Sequence, residues 1–216
     1  MGKAVELLSN VDSHTDGYEF DLMDITRQYL SNFAYSIYKK AMQSFSDKNK
    51  EDLEKYSEQF LTLLLDVDRL LRHRDEYSFE KWIVDARKCA ESVEEQDLFE
   101  YNATALVTVW GNEEASTIFD YSWREWSGLI EQFYVMRWKF FFGKLSKFLE
   151  SDTEYSEEGL PMAYGREAWR ANALYSEMAD KELEWIHSKK KFDPVDVGEL
   201  KMYVKTMLNK YPVVSQ

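Results

Sequence analysis

Between Asp21 and Leu71 the apolar residues fall on two stripes of helical period, and no other feature restricts the fold of this chain so tightly. Leu22, Ile25, Tyr29, Phe33, Ile37, Ala41 and Phe45 recur every three or four residues. That spacing gathers them on one face of a helix and scatters them over both faces of a strand. A polar break, Ser46-Asp47-Lys48-Asn49-Lys50, separates them from Leu53, Tyr56, Phe60, Leu63, Leu64, Val67, Leu70 and Leu71. Two long amphipathic helices joined by so short a link predict an αα-hairpin. With only 8 Gly and 3 Pro in 216 residues, the chain lacks the punctuation that the many turns of an all-β fold require.

The rest of the sequence extends the helical pattern. Phe79, Trp82, Ile83, Ala86 and Ala90 mark a third helix. Ser92-Val93-Glu94-Glu95 fits a capping box, so a fourth helix is expected to start there and to stop at Gly111. A fifth, apolar nearly all round, is expected from about Ile118 to Leu149 and carries Trp123, Trp126, Phe133, Trp138 and Phe141. Gly159, Pro161 and Gly165 mark a loop over 151–165, and a sixth helix follows over about 166–190. Asp193-Pro194 reads as an N-cap followed by proline at the first helical position, opening a last helix that runs to about Tyr211. The expected fold is therefore all-α: a multi-helix bundle of about seven helices, mostly antiparallel, around a central aromatic-rich helix. Residues 21–216 form one helical domain. Residues 1–20 read as a linker from a preceding domain, with Ala4-Val5-Glu6-Leu7-Leu8 as the end of a linker helix.

Charge and motif content exclude several functions. A net charge of −13 repels phosphate backbones and anionic headgroups, which argues against nucleic-acid and membrane-surface partners. No run of 18 apolar residues exists, and the start is too short for the apolar core of a signal peptide. Cys89 is the only cysteine, so no disulfide forms within the chain. Phosphate-binding glycine loops, the nucleophile elbow and Cys/His zinc spacings are all missing, and no cofactor is expected. One Glu-x-x-His occurs, Glu184-Trp185-Ile186-His187. A di-iron bundle needs two such motifs and two further glutamates, so this copy reads as a surface Glu and a helix-end His. Asp66 and Asp68 are two residues apart and point in different directions on a helix, which does not make a glycosidase pair. Arg27, Arg87 and Arg137 read as structural ion-pair partners, Arg27 with Asp24 one turn earlier.

The aromatics carry more information. Trp126 and Trp138 at helical spacing read as core residues. Trp110 stands at a helix end beside a loop, and Tyr121 follows soon after, so both rings are placed to be exposed, and sugar rings stack on such faces.

At this point the local sequence becomes specific. Phe20-Asp21-Leu22-Met23-Asp24-Ile25-Thr26-Arg27-Gln28 resembles the Tyr-Asp-Leu-x-Asp-Leu-Thr-Arg-Gln entry of the C-terminal helical domain of the α-N-acetylglucosaminidases. Leu64-Leu65-Asp66-Val67-Asp68, Trp82 through Arg87, Phe99 through Ala103 and Val107-Thr108-Val109-Trp110-Gly111 are similar to the segments that follow. Asp120-Tyr121-Ser122 with Trp126-Ser127-Gly128-Leu129, and Tyr134 with Arg137-Trp138, fit its Asp-Tyr-Ala…Trp-x-Gly-Leu and Tyr-x-x-Arg-Trp blocks. Each motif alone is weak. Their ordered series from Phe20 to Phe142 is strong, and beyond Gly143 the similarity is only general. Thr104 stands where the family usually carries Arg, Trp123 where it carries Asn, Glu80 where it carries Gly and Met136 where it carries Pro.

The resemblance implies a whole enzyme that hydrolyses terminal α-linked N-acetylglucosamine with retention. Its catalytic carboxylates lie on an upstream (β/α)8 barrel, which takes about 250 residues by itself and so does not fit within this chain. No catalytic residue carries over, and the isolated chain is expected to be inactive. The expected role is that of an accessory domain that packs on the barrel, with Trp110 and Tyr121 as candidates for the wall of its cleft. The parent enzyme is expected to be secreted, periplasmic or lysosomal. The alternative is a free-standing helical module that binds a glycan or a protein.

Overall fold

The computed structural model describes residues 1–110, 120–151 and 173–212. Among these residues the chain forms eight α-helices and no strand. They are α1 (Gly2–Ser9), α2 (Asp16–Ser46), α3 (Lys50–Leu71), α4 (Phe79–Lys88), α5 (Val93–Leu106), α6 (Val135–Glu150), α7 (Ala173–His187) and α8 (Leu200–Lys210). A 3-10 turn at Asp75–Tyr77 precedes α4, and a π turn at Ile130–Tyr134 runs straight into α6.

Local chemistry sets most of the helix starts. The side chains of Thr15, Asn49, Ser78 and Ser92 accept from the backbone N–H groups of Tyr18, Asp52, Lys81 and Glu95, satisfying donors that the first helical turn leaves free. The box at α5 closes one residue wide of its usual form, because Glu95 accepts from Glu91 N rather than from the N–H of the cap residue. The Thr15 cap and the acidic Asp16 and Glu19 start α2 five residues ahead of Asp21.

Two apolar clusters fill the interior. The larger joins α1, α2, α3, α6 and α8 around Leu22, Leu30, Leu53, Leu63, Leu70 and Val204. The smaller joins α4, α5 and α7 around Phe79, Ile83, Val107, Phe133 and Ile186. The helix that starts at Leu129 serves both: Ile130, Val135, Phe142 and Leu145 enter the first, Leu129 and Phe133 the second. Trp138 packs half-buried on the larger cluster, edge-on to Phe60 at 4.8 Å, and Trp126 does so on the smaller, beside Trp82 at 5.7 Å. Residues 2–9 also belong to this body: Val5 is fully buried, and α1 packs on α2 and α8.

Three boundaries differ from the sequence expectation. The helix expected from Ile118 starts only at Leu129. Residues 120–128 form a loop, because Asp120 and Gly128 both take left-handed backbone (φ 52° and 79°) and Ser127 is drawn into an isolated parallel bridge with Ser78. The fourth helix ends at Leu106, not at Gly111. Ala105 O accepts from both Thr108 N and Trp110 N, and Trp110 itself adopts φ 74°. The last helix starts at Leu200, not at Asp193-Pro194. Asp196 Oδ1 accepts from Gly198 N and Gly198 turns at φ 70°, an Asx turn that delays the helix. Gly111, Ile118, the loop over 151–165 and the start expected at Arg166 lie outside the described residues.

Candidate functional site

The site is built on the loop 120–128, which is tied down along its whole length. At its start, Arg137 of α6 donates to both Asp120 oxygens at 2.9 and 3.0 Å and to Glu182 of α7 at 2.7 Å. The planar guanidinium matches the carboxylate in a two-point fork and lies 4.3 Å from the centre of the Phe133 ring. Burial works to lower the Arg137 pKa, but the carboxylates of Glu182 and Asp120 overcome it and hold the group above its ordinary value.

Further along, Glu125 accepts from Arg27 and, at 3.3 Å, from the Ser31 hydroxyl, both on α2. Arg27 also pairs with Asp24 at 2.9 Å, and Asp24 in turn accepts from the Tyr77 hydroxyl. At the end of the loop Ser127 N donates to Tyr77 O at 2.7 Å, and Phe79 N donates to Ser127 O at 3.1 Å.

Asp68 of α3 closes the system. Its carboxylate is buried and accepts from Gly128 N and Glu131 N at the first turn of the helix that begins with Leu129. It thereby caps a helix from a different part of the chain, facing the positive end of the helix dipole. Burial pushes its pKa up to about 6, against the Arg72 guanidinium and the two N–H groups, which hold it down. Gly128 sits in the left-handed region at this junction, with the Phe192 ring 3.6 Å from where a Cβ would stand. The helix so capped opens with the π turn at Ile130–Tyr134, a feature that occurs often at functional sites.

What the ties hold outward is aromatic. Trp110 and Tyr121, the two residues expected to be exposed at loop mouths, are neighbours: their ring centres are 4.9 Å apart and tilted by 59°. Tyr121 is 70% exposed, Trp123 is 55% exposed, and Trp110 is half-buried. Trp110 and Asp120 hold left-handed backbone that costs non-glycine residues on the order of 1 kcal/mol each. Left-handed backbone at Trp110 and Asp120 thus adjoins the contact between the half-buried Trp110 ring and the exposed Tyr121 ring. Of the four departures from the family pattern, Trp123 lies on this loop. Met136 packs in the smaller cluster, Glu80 faces solvent, and Thr104 is fully buried with its hydroxyl unpartnered.

The arginines turn out to be the scaffold of the site. Sequence spacing gave Arg27 its partner Asp24, but Glu125, 98 residues away, and the meeting of Asp120 with Arg137 carry no local signal. Asp68 did carry one. It stands on the apolar stripe, one turn after Leu64, where a carboxylate has to find a buried partner. Asp66, by contrast, accepts from Lys210 and from the Tyr211 hydroxyl on the α8 side. In the Glu-x-x-His, Glu184 faces solvent and the His187 ring stacks on Tyr101 at 5.0 Å. Among the described residues no group of three or more His, Cys, Asp or Glu is placed to hold a metal ion, and no helix is long and apolar enough to cross a membrane.

An all-helical body of this form occurs as one part of a glycoside hydrolase. The structure matches the family 89 glycoside hydrolase from Clostridium perfringens bound to PUGNAc, with a TM-score of 0.78 and 28% identity, over 97% of this chain and 23% of that one. It matches the same bacterial enzyme in complex with its substrate GlcNAc-α-1,4-galactose equally well, again with a TM-score of 0.78 and 28% identity over 97% and 23% of the two chains. The family described as Alpha-N-acetylglucosaminidase (NAGLU) C-terminal domain matches residues 1–210, and the chain belongs to it. Human alpha-N-acetylglucosaminidase is 25% identical over 195 residues, which are 90% of this chain and 24% of the human one. The chain thus spans about a quarter of the length of these relatives.

Proposed function

We propose that this chain is the accessory helical domain of an α-N-acetylglucosaminidase-like hydrolase. It packs on a (β/α)8 catalytic domain upstream in the same parent chain. Trp110 and Tyr121 line the cleft in which the parent enzyme holds a glycan ending in N-acetylglucosamine. The observation that carries this reading is the Trp110–Tyr121 pair: Tyr121 is exposed on the loop whose anchoring residues, Asp120 and Arg137, belong to the family's motifs, and half-buried Trp110 lies against it.

The chemistry belongs to the barrel, and the 216-residue chain alone is expected to leave an aryl α-N-acetylglucosaminide intact. In the whole enzyme, Trp110→Ala and Tyr121→Ala are each expected to lower kcat/KM for that substrate by roughly tenfold or more, about 1.4 kcal/mol of lost transition-state binding. Tyr121 is exposed enough that its removal leaves folding intact, so wild-type kinetics in Tyr121→Ala as well as Trp110→Ala would remove both rings from the cleft. Binding of N-acetylglucosamine by the isolated chain would favour the free-standing module instead.

A further inference from the structure

We infer that Asn102 is a modification site: it accepts an N-linked glycan that covers the apolar strip left by Leu98 and Leu106 along the outer side of α5. The inference goes beyond the cleft reading above and does not depend on it.

The acceptor motif is Asn102-Ala103-Thr104, an Asn-x-Thr without proline at its centre. Of the seven asparagines in the chain, no other is followed by Ser or Thr two residues on. A bare tripeptide is a weak signal, and the fold adds to it. Asn102 is exposed on α5. Leu98 and Leu106 stand four residues before and after it, so the three side chains share one helix face, and the leucines are 53% and 38% exposed. The first sugar of an N-linked glycan carries an acetamido methyl and the C–H groups of its ring. Attached to Asn102, it reaches side chains one helical turn away on either side and takes their apolar surface out of water.

Thr104 gives the second reason. It completes the motif and stands where the family usually carries Arg, so the site belongs to this chain's own sequence. Its side chain is fully buried, and its hydroxyl has no hydrogen-bond partner among the described residues. A buried hydroxyl without a partner weakens a fold, and a valine would fill the same space without it. The hydroxyl acts instead on the unfolded chain, where the transferase that reads the motif requires it. Because the folded body encloses Thr104, transfer precedes the closing of α5. Asn102 Nδ2 then bonds to the anomeric carbon of an oligosaccharide carried on a lipid pyrophosphate. The bond from that carbon to the pyrophosphate oxygen breaks, the lipid pyrophosphate leaves, and one amide proton passes to solvent.

Mass spectrometry of the protein purified from its own cells tests this directly. An N-glycosidase acting in heavy-oxygen water turns a glycan-bearing asparagine into an aspartate that holds the heavy isotope. The peptide spanning Asn102 is expected to be labelled in most molecules, and its recovery with Asn102 unmodified would overturn the inference. Thr104→Val is expected to abolish the label while Tm stays at or above the wild-type value, and Thr104→Ser is expected to keep it. A label that persists in Thr104→Val would overturn the motif, and a clear fall in Tm would give the hydroxyl a place in the fold and remove the second reason. Taking the glycan off the folded protein is expected to raise its binding of an apolar dye; unchanged binding would overturn the covering of Leu98 and Leu106. None of these readouts involves hydrolysis of an α-N-acetylglucosaminide, so the hydrolase reading stands or falls separately.

Discussion

Arg137 bridges two carboxylates that lie on opposite sides of it in sequence, and its guanidinium is largely withdrawn from water. Such a group is costly to remove, because its carboxylate partners lose the cation that offsets their burial. Arg137→Gln is expected to destabilise the chain by about 3–5 kcal/mol, read as a lower urea midpoint, since buried Glu182 loses its charged contact with Arg137 and Asp120 loses the two-point fork. Arg137→Lys is expected to recover only part of that, because an ammonium cannot make the two-point fork to Asp120. A midpoint unchanged in Arg137→Gln would mean that the pairs contribute nothing to folding. The sequence marked all three arginines as ion-pair partners, and each is one: Arg27 with Asp24, Arg87 with Glu100, Arg137 with Asp120 and Glu182. Only Asp24 was legible, because a partner three residues away is fixed by helix geometry alone. Partners from other helices are fixed by packing, which no local spacing records.

At the scale of elements, the helices written in caps and periodicity were legible and the loop between them was not. Ser92 and Glu95 announce α5 from within four residues. The start of the helix at Leu129 depends instead on Asp68, 60 residues earlier, and the run of aromatics from Trp123 onward imitates a helix that the backbone does not continue. The Asp68 cap has a measurable signature. Its pKa rises from about 3.9 in an unfolded chain to about 6 in the fold, because burial disfavours the charge. The folded state therefore holds a proton that the unfolded state has released between those values. The stability it contributes is full below about pH 4 and is lost as pH rises through 6. Asp68→Asn abolishes this titration. The stability difference between wild type and Asp68→Asn is expected to be largest near pH 4 and to shrink towards pH 7, followed by urea unfolding at each pH. A difference that stays flat, or grows with pH, would mean that Asp68 is not the proton holder.

At the scale of the whole molecule, the all-α class and the family were both legible, through a long helical period and an ordered series of short motifs. Which part of that series makes a surface was not, because motifs 17 residues apart, Asp120 and Arg137, have to meet before either has a role. The outermost helix offers a test of where the folded body begins. Val5 is fully buried against α2 and α8, so Val5→Ala is expected to lower stability by about 2 kcal/mol, seen as a drop in Tm. A Tm equal to wild type would make residues 2–9 a passive connector.

The clamp on the aromatic loop also sets an order of events during synthesis. Asp120 and Arg137 leave the ribosome well before Glu182, which follows Arg137 by 45 residues. At translation speeds of about 5–20 residues per second, that is a wait of roughly two to nine seconds. During it, the hairpin of α2 and α3 has every residue it needs to close, while the Arg137 cation has only one of its two carboxylates. The clamp on the aromatic loop is thus complete only once Glu182 has been made, and a ribosome pausing between Arg137 and Glu182 would leave it unfinished.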